Sequence, residues 1–310
     1  MTPWITRMAA WSAAGWGVEP LTEALRRGEP LLRPVPYVAA GLRSPFACLL
    51  PQRVEAAELL EALVTQVLPP LPSRCGLVVA TSSGAISGGF ERWHAARVGG
   101  APLSEHAWRQ EPGQKLAREL GLAPHTTVSV ACASGSVAFE LARGWLRQGR
   151  CDQVVVVGYE VLSLYIHAGF AGLGALAAEY SRPFQQRRDG LVLGEGGAAF
   201  LLEKPAVARL AGRSPRATLL GCGLSQDGVH LTAPDRTGSG IFRASEAALS
   251  DAGLQAGQVD IVSAHATGTP FNDAMESRGL STLFQGPVPL HAAKPVIGHC
   301  LGAAGALEAA

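Results

Sequence analysis

Val128-Ser-Val-Ala-Cys132-Ala-Ser-Gly-Ser136 joins an apolar, β-like run to a helical pattern, and one cysteine sits at the join. The pattern predicts a strand over Thr126–Val130 and a helix over Gly135–Gln148 with Val137, Leu141 and Leu146 inward. The small residues Ala131, Ala133, Ser134 and Gly135 fit a sharp strand-to-helix turn that would expose the sulfur. A cysteine at the first turn of a helix sees the partial positive charge of free N–H groups, so its pKa is expected to fall. The same N–H groups would supply half of an oxyanion hole for a thioester carbonyl. Most cysteines are buried and structural. Cys48, Cys75, Cys151, Cys222 and Cys300, each in an ordinary setting, keep that reading.

Outward from this turn, apolar runs alternate with helical periods. Strands are predicted over Trp4–Ala10, Cys75–Ala80, Gln153–Gly158, Ala198–Leu202, Ala217–Gly223 and Ile261–Ala264. Helices are predicted over Val18–Arg27, Val54–Val67, Gln114–Leu120, Gly240–Ala252, Phe271–Phe284 and from Gly302 onward. Gly28 and the Pro69-Pro70 pair stop two of them. Pro30–Pro51 reads as irregular, Thr81–Gly89 as a polar loop at a site edge, Leu162–Arg188 as aperiodic, and Pro205–Arg216 as a connector. The alternation argues a mainly parallel sheet covered by helices. Boundaries at 1–205 and 206–310 follow from the connector. Val-Ala-Cys132-Ala-Ser-Gly and Ile-Gly-His299-Cys-Leu-Gly both lead into helices, which suits either a duplication or chance. Under a duplication, the second half lacks its last two strands.

The composition narrows the function classes. Net charge is +1, which gives no global attraction to nucleic acid or to a membrane surface. No uninterrupted apolar run reaches the roughly 18 residues of a membrane span, and the N-terminus lacks a secretion-signal pattern. Cysteines stand singly, without CxxC, so zinc-ribbon and dithiol redox chemistry are not expected. A cytosolic, reduced protein is expected.

Two further segments carry chemistry. His265 follows an apolar strand and precedes Ala-Thr-Gly-Thr-Pro; His299 lies in Lys294-Pro-Val-Ile-Gly-His299-Cys-Leu-Gly. Standing alone, each would be an ordinary histidine. Without HxH or HxxxH spacing, a metal site is not expected. A buried Lys294 needs a counter-charge, and Glu308 is the candidate. Asp273 and Glu276 lie one helical turn apart after the His265 loop; they either cap the helix or hold the loop and Lys294.

Taken together, six stretches resemble the elongating-type β-ketoacyl-acyl carrier protein synthases of the thiolase superfamily. They are Ala-Cys132-Ala-Ser-Gly, Ser181-Arg-Pro-Phe, Arg188-Asp-Gly-Leu-Val-Leu-Gly-Glu-Gly-Gly197, His230-Leu-Thr-Ala-Pro, His265-Ala-Thr-Gly-Thr-Pro-Phe-Asn-Asp273 and Lys294-Pro-Val-Ile-Gly-His299-Cys-Leu-Gly-Ala-Ala-Gly305. The resemblance implies a thiolase-like α/β fold: two pseudo-duplicated βα halves in an αβαβα sandwich, the second half incomplete. It implies Cys132 as nucleophile, His265 and His299 as donors to a malonyl thioester oxygen, and Lys294–Glu308 as an orienting pair. It also implies that Thr267 and Thr269 bind the phosphopantetheine arm of an acyl carrier protein. No separate cofactor or metal is implied. The expected partners are the carrier protein and a second subunit, in a homodimer or a ketosynthase heterodimer; a non-condensing chain-length-factor role is the alternative. Three departures stand out: Ala266 replaces the family's usual Gly, the span from Gly84 to Pro124 is compact, and the chain stops before the family's Gly-Phe-Gly-Gly loop. From the last departure a truncated sequence is expected: missing strands would leave unpaired sheet edges and exposed apolar surface, so the 310-residue form is expected to be poorly soluble or inactive and the longer natural product active.

Overall fold

A computed structural model describes residues 2–36, 44–70, 73–100, 112–230 and 233–310. The main sheet contains β1 (Trp4–Ser12), β2 (Gly15–Trp16), β5 (Cys75–Ala80), β6 (His125–Val128), β7 (Gln153–Glu160) and β8 (Gly196–Glu203), in the order β2-β1-β8-β7-β5-β6. Between β2 and β5 lie α1 (Val18–Arg27), the short paired strands β3 (Arg33–Pro34) and β4 (Phe46–Ala47), and α2 (Ala56–Val67). The helices α3 (Ala85–Gly99), α4 (Pro112–Glu119), α5 (Ser134–Arg147) and α6 (Leu164–Gly172) follow in chain order.

Every residue of β7 and β8 is buried. The period-two alternation of a strand then decides which helix each side chain meets. Val154 and Val156 turn to the face that holds Phe139, Ala142 and Trp145 of α5. Val155 and Val157 turn to the other face, against Leu59, Leu60, Leu63 and Val64 of α2. The α2 apolar residues recur at helical spacing, and a Glu55–Glu58 capping box closes its N-terminus. Each fully buried leucine stabilises this packing by roughly 1.5–3 kcal/mol.

The second half contains α7 (Pro205–Leu210), β9 (Ala217–Thr218), α8 (Ser239–Ala252), β10 (Val262–Ser263), α9 (Pro270–Leu283), β11 (Leu290–His291), α10 (Lys294–Ile297) and α11 (Ala304–Ala309). Strands β10 and β11 pair in parallel as a two-stranded sheet. Near them Ile261 and Leu290 are exposed, as are Leu220 and Leu224. No helix among the described residues is long and apolar enough to cross a membrane.

Several sequence expectations need correction. The sheet is mixed: β5 runs parallel to β6 and β7, but β8 is antiparallel to both β7 and β1. Glu160 at the end of β7 pairs with Gly196 at the start of β8, so the connection starts and finishes at the same end of the sheet and β8 returns in the opposite direction. Only residues 217–218 of the predicted 217–223 strand pair, and they lie antiparallel against Trp4 and Ile5 of β1. The expected loop over Thr81–Gly89 gives way to α3 from Ala85, and the aperiodic stretch after Leu162 holds α6. On α5, Val137 and Leu141 flank the buried face, while Ala138, Phe139, Ala142, Trp145 and Leu146 form it. Glycine and alanine made that face hard to read from period alone. Part of the compact span between Gly84 and Pro124, residues 101–111, lies outside the described residues.

Helix α11 crosses α5 at backbone contact. A Cβ at Gly135 would meet Ala306 N at 2.8 Å and Gly305 Cα at 3.2 Å. This crossing brings the segment after His299 against the segment after Cys132. Gly135→Val is expected to cost about 1–3 kcal/mol by overpacking, read as a lower thermal midpoint; an unchanged midpoint would show that the crossing yields.

Candidate active site

Three turns from distant parts of the chain converge. Cys132 lies between β6 and α5, His265 follows β10, and His299 follows α10. The sulfur and the two imidazoles each present a ligand-type atom, all within 4.8 Å of one another. His299 Nε2 lies 3.0 Å from Cys132 Sγ. The two imidazole rings meet edge to face, with centroids 5.3 Å apart. Cys132, His265 and His299 each lie within two residues of a non-glycine residue with positive φ: Ala131 at 48°, Ala266 at 45° and Leu301 at 46°. Such conformations persist only where the surroundings enforce them.

The tautomer of His299 follows from its neighbours. The Leu301 N–H donates to His299 Nδ1 at 3.2 Å. That nitrogen must offer a lone pair, so in the neutral ring the proton sits on Nε2. Burial, with Lys294 adding to it, holds His299 well below the usual imidazole range. Burial and then Lys294 push His265 down to about 3. Both rings are therefore neutral at physiological pH. His299 Nε2–H donates to the Cys132 sulfur, which suits a thiolate or an oxyanion and leaves no lone pair for a general base. The same tautomer works against a metal on this Cys-His-His set, because Nε2 is protonated. The Lys294 ammonium adds repulsion.

The expected lowering of the Cys132 pKa is corrected. Burial pushes this thiol up to about 11; Lys294 opposes it and Glu160 adds to it. Desolvation outweighs the helix N-terminus because α5 starts two residues later, at Ser134. Alkylation of Cys132 is therefore expected to rise about tenfold per pH unit between pH 7 and 10. Lys294→Met should raise the thiol further and slow alkylation at fixed pH about tenfold. Iodoacetamide rates against pH check both; a plateau near pH 8 would contradict them.

The supporting residues form two clamps. Lys294 is 3% exposed and its Nζ donates to Glu308 Oε1, the expected partner. Burial raises the Glu308 carboxyl and Lys294 counters it. On α9, Glu276 accepts the N–H groups of His265 and Ala266, the latter at 2.8 Å. Asp273 accepts Gly268 N–H at 3.1 Å and Phe184 N–H at 2.8 Å. Of the two readings left open, these carboxylates hold the histidine loop; the α9 N-cap is Thr269, with no side-chain cap bond. Ser181 Oγ–H donates to Thr267 O at 2.9 Å, so the Ser181 segment braces the same loop. Thr267 and Thr269 share a hydroxyl–hydroxyl bond of 2.9 Å.

The Arg188–Gly197 segment lies beside His299. His299 N–H donates to Val192 O at 2.7 Å, and Gly194 N–H donates back to His299 O at 3.1 Å. A Cβ at Gly194 would sit 2.4 Å from Ile297 O, so only glycine allows this approach. Residues 231 and 232 of the His230 segment lie outside the described residues. Sequence reasoning missed two carboxylates near the site, the half-buried Glu195 and the buried Glu160. Glu195 accepts the N–H groups of Leu50 and Leu162 at 3.1 and 3.0 Å. Glu160 accepts bonds from Thr81, Ser82, Ser83 and Gly302. A lone acid at the end of the apolar run Gln153-Val-Val-Val-Val-Gly-Tyr-Glu160 was the available signal for the second.

Comparison with known proteins places this geometry. Residues 48–208 match the family model for the N-terminal domain of β-ketoacyl synthases, and residues 216–310 match the C-terminal domain model. A putative mitochondrial 3-oxoacyl-[acyl-carrier-protein] synthase of Schizosaccharomyces pombe is 37% identical over 198 residues, 59% of this chain and 46% of that protein. The chloroplastic 3-oxoacyl-[acyl-carrier-protein] synthase II of Arabidopsis thaliana is 30% identical over 251 residues, 76% of this chain and 46% of that protein. The chain thus spans about half the length of these curated relatives. Among solved structures, the ishigamide ketosynthase/chain length factor superposes with a TM-score of 0.89 at 29% identity, covering 99% of this chain and 84% of that one. The thiolase-like fold expected from the sequence is the fold observed.

Proposed function

The chain belongs to the β-ketoacyl synthase family, and on that premise we propose that it forms carbon–carbon bonds by decarboxylative condensation. Cys132 Sγ attacks an acyl thioester, the new S–C bond forms as the carrier's C–S bond breaks, and the carrier leaves as a thiol with the proton given up by Cys132. A malonyl thioester then enters. Its C–CO2 bond breaks, carbon dioxide departs, and the electron pair delocalises onto the thioester oxygen. Neutral His265 and His299 donate to that oxygen, a preorganised stabilisation of the developing charge. The carbanion attacks the acyl carbon on Cys132, the C–S bond breaks with its electron pair on sulfur, a 3-oxoacyl thioester is released, and the Cys132 thiolate takes a proton from solvent.

The observation that carries this reading is the 3.0 Å approach of His299 Nε2–H to the Cys132 sulfur, with His265 alongside. We assign Thr267 and Thr269 to the phosphopantetheine arm of a carrier protein, since their hydroxyls lie on the loop that carries His265. A carrier protein and a second ketosynthase-type subunit are the proposed partners. The likeness to a ketosynthase/chain length factor pair gives a non-condensing subunit as the second reading. A partner of that kind has no use for a thiol facing two imidazoles, so the intact triad favours the condensing role. Cerulenin followed by peptide mass spectrometry decides between them. Labelling confined to Cys132 is expected; labelling spread evenly over the thiols would favour the non-condensing reading.

A further inference from the structure

Glu160 ends β7 and is 1% exposed. Its carboxylate accepts the N–H groups of Ser82 at 2.7 Å, Ser83 at 3.2 Å and Gly302 at 3.1 Å, together with the hydroxyls of Thr81 at 3.1 Å and of Ser83. The Thr81 hydroxyl already accepts Gly84 N–H at 3.0 Å, so its own proton is available to Glu160. Backbone N–H groups only donate, and three of them around one group match an acceptor-only carboxylate. These bonds join the loop after β5 to the 3-10 turn Leu301–Ala303, which follows His299.

Leu301, inside that turn, stands at φ 46° with a bulky side chain buried in the core. A left-handed leucine must be held by its surroundings. Two bonds flank it: its own N–H donates to His299 Nδ1, and the next N–H, that of Gly302, donates to Glu160. The packing there is tight, for a Cβ at Gly302 would lie 2.3 Å from Ser82 N and 2.5 Å from Thr81 C.

We propose that Glu160 is a positioning residue: by anchoring Gly302 N–H it holds the Leu301 peptide under His299 Nδ1 and so fixes the Nε2–H tautomer that faces Cys132. Its use in catalysis rests on the condensing reading above, whereas its geometry does not. The charged groups that act on Cys132 are Lys294, Glu160 and Glu308, with the neutral rings of His265 and His299 beside it.

The test is histidine 15N NMR on the full chain, with His299 assigned by loss of its signals in His299→Ala. Wild type is expected to show protonated Nε2 and unprotonated Nδ1 at His299. Glu160→Ala, and independently Glu160→Asp, which keeps the charge but draws the carboxylate back by one methylene from Gly302 N–H, should give a mixture of tautomers, while Ser83→Ala, which keeps the Gly302 bond, should not. In Glu160→Asp, alkylation of Cys132 by iodoacetamide should also fall about tenfold at fixed pH, about one pKa unit. If Glu160→Ala does not fold, Glu160→Asp by itself decides the question. Folded variants that retain the wild-type tautomer would overturn the proposal. Both readouts follow His299 and Cys132 directly, so failure of the wild type to condense malonyl substrates would refute the proposed function and leave this test standing.

Discussion

Cys132→Ala is expected to abolish 3-oxoacyl product, a loss of about 10⁴-fold or more, because no other group can hold the acyl chain. Cys300 and Cys48 are buried, and burial drives the first well above and the second to about 12 on the thiol scale, so neither replaces it. The same variant should still decarboxylate a malonyl thioester. His265 and His299 owe their positions to Glu276, Val192 and Leu301, and none of those contacts passes through the sulfur. The check is to measure carbon dioxide release and 3-oxoacyl product in parallel. A variant that still forms the condensed product would remove Cys132 from the mechanism.

His299→Ala should separate the two half-reactions in the opposite sense. Decarboxylation places charge on a thioester oxygen, and loss of one preorganised donor there costs about 10²–10³-fold. Acyl transfer to Cys132 keeps its nucleophile and loses one N–H···S contact, so a smaller decrease of about tenfold is expected. Radiolabelled acyl loading and malonyl decarboxylation measured on the same preparation give the ratio. Equal losses in both steps would contradict the assignment of His299 to the enolate oxygen.

How much of this could be read in advance depended on the kind of interaction. Local backbone signals were enough for α1: its bounds and the left-handed Gly28 that stops it follow from the helical period and a terminal glycine. The same holds for β5, an uninterrupted apolar run bounded by polar residues. Strand direction was not legible, because antiparallel β8 and a parallel strand would show the same apolar run. The α5 face was only partly read: Leu146 lies inward as expected, but Gly135, Ala138 and Ala142 share the buried face with Phe139 and Trp145, and the burial of such small residues depends on what approaches them. At the site, local setting marked Cys132 and the Lys294–Glu308 pair as candidates, and the resemblance of six stretches to one family gave Cys132, His265 and His299 their roles. Glu160 and Glu195 were passed over, since their partners are backbone N–H groups far away in sequence.

Cysteine and histidine identities, small residues at each turn and a lysine in need of a counter-charge are written in the amino-acid order itself; together with the family resemblance they name the reacting groups. Protonation belongs to the folded molecule. Whether the thiol sits near 9 or near 11, and which nitrogen of His299 carries the proton, depend on desolvation and on the Leu301 N–H. The desolvating shell around the thiol is assembled from segments more than a hundred residues apart, and the Leu301 N–H, although only two residues from His299, is aimed by a left-handed backbone that no local sequence signal announces.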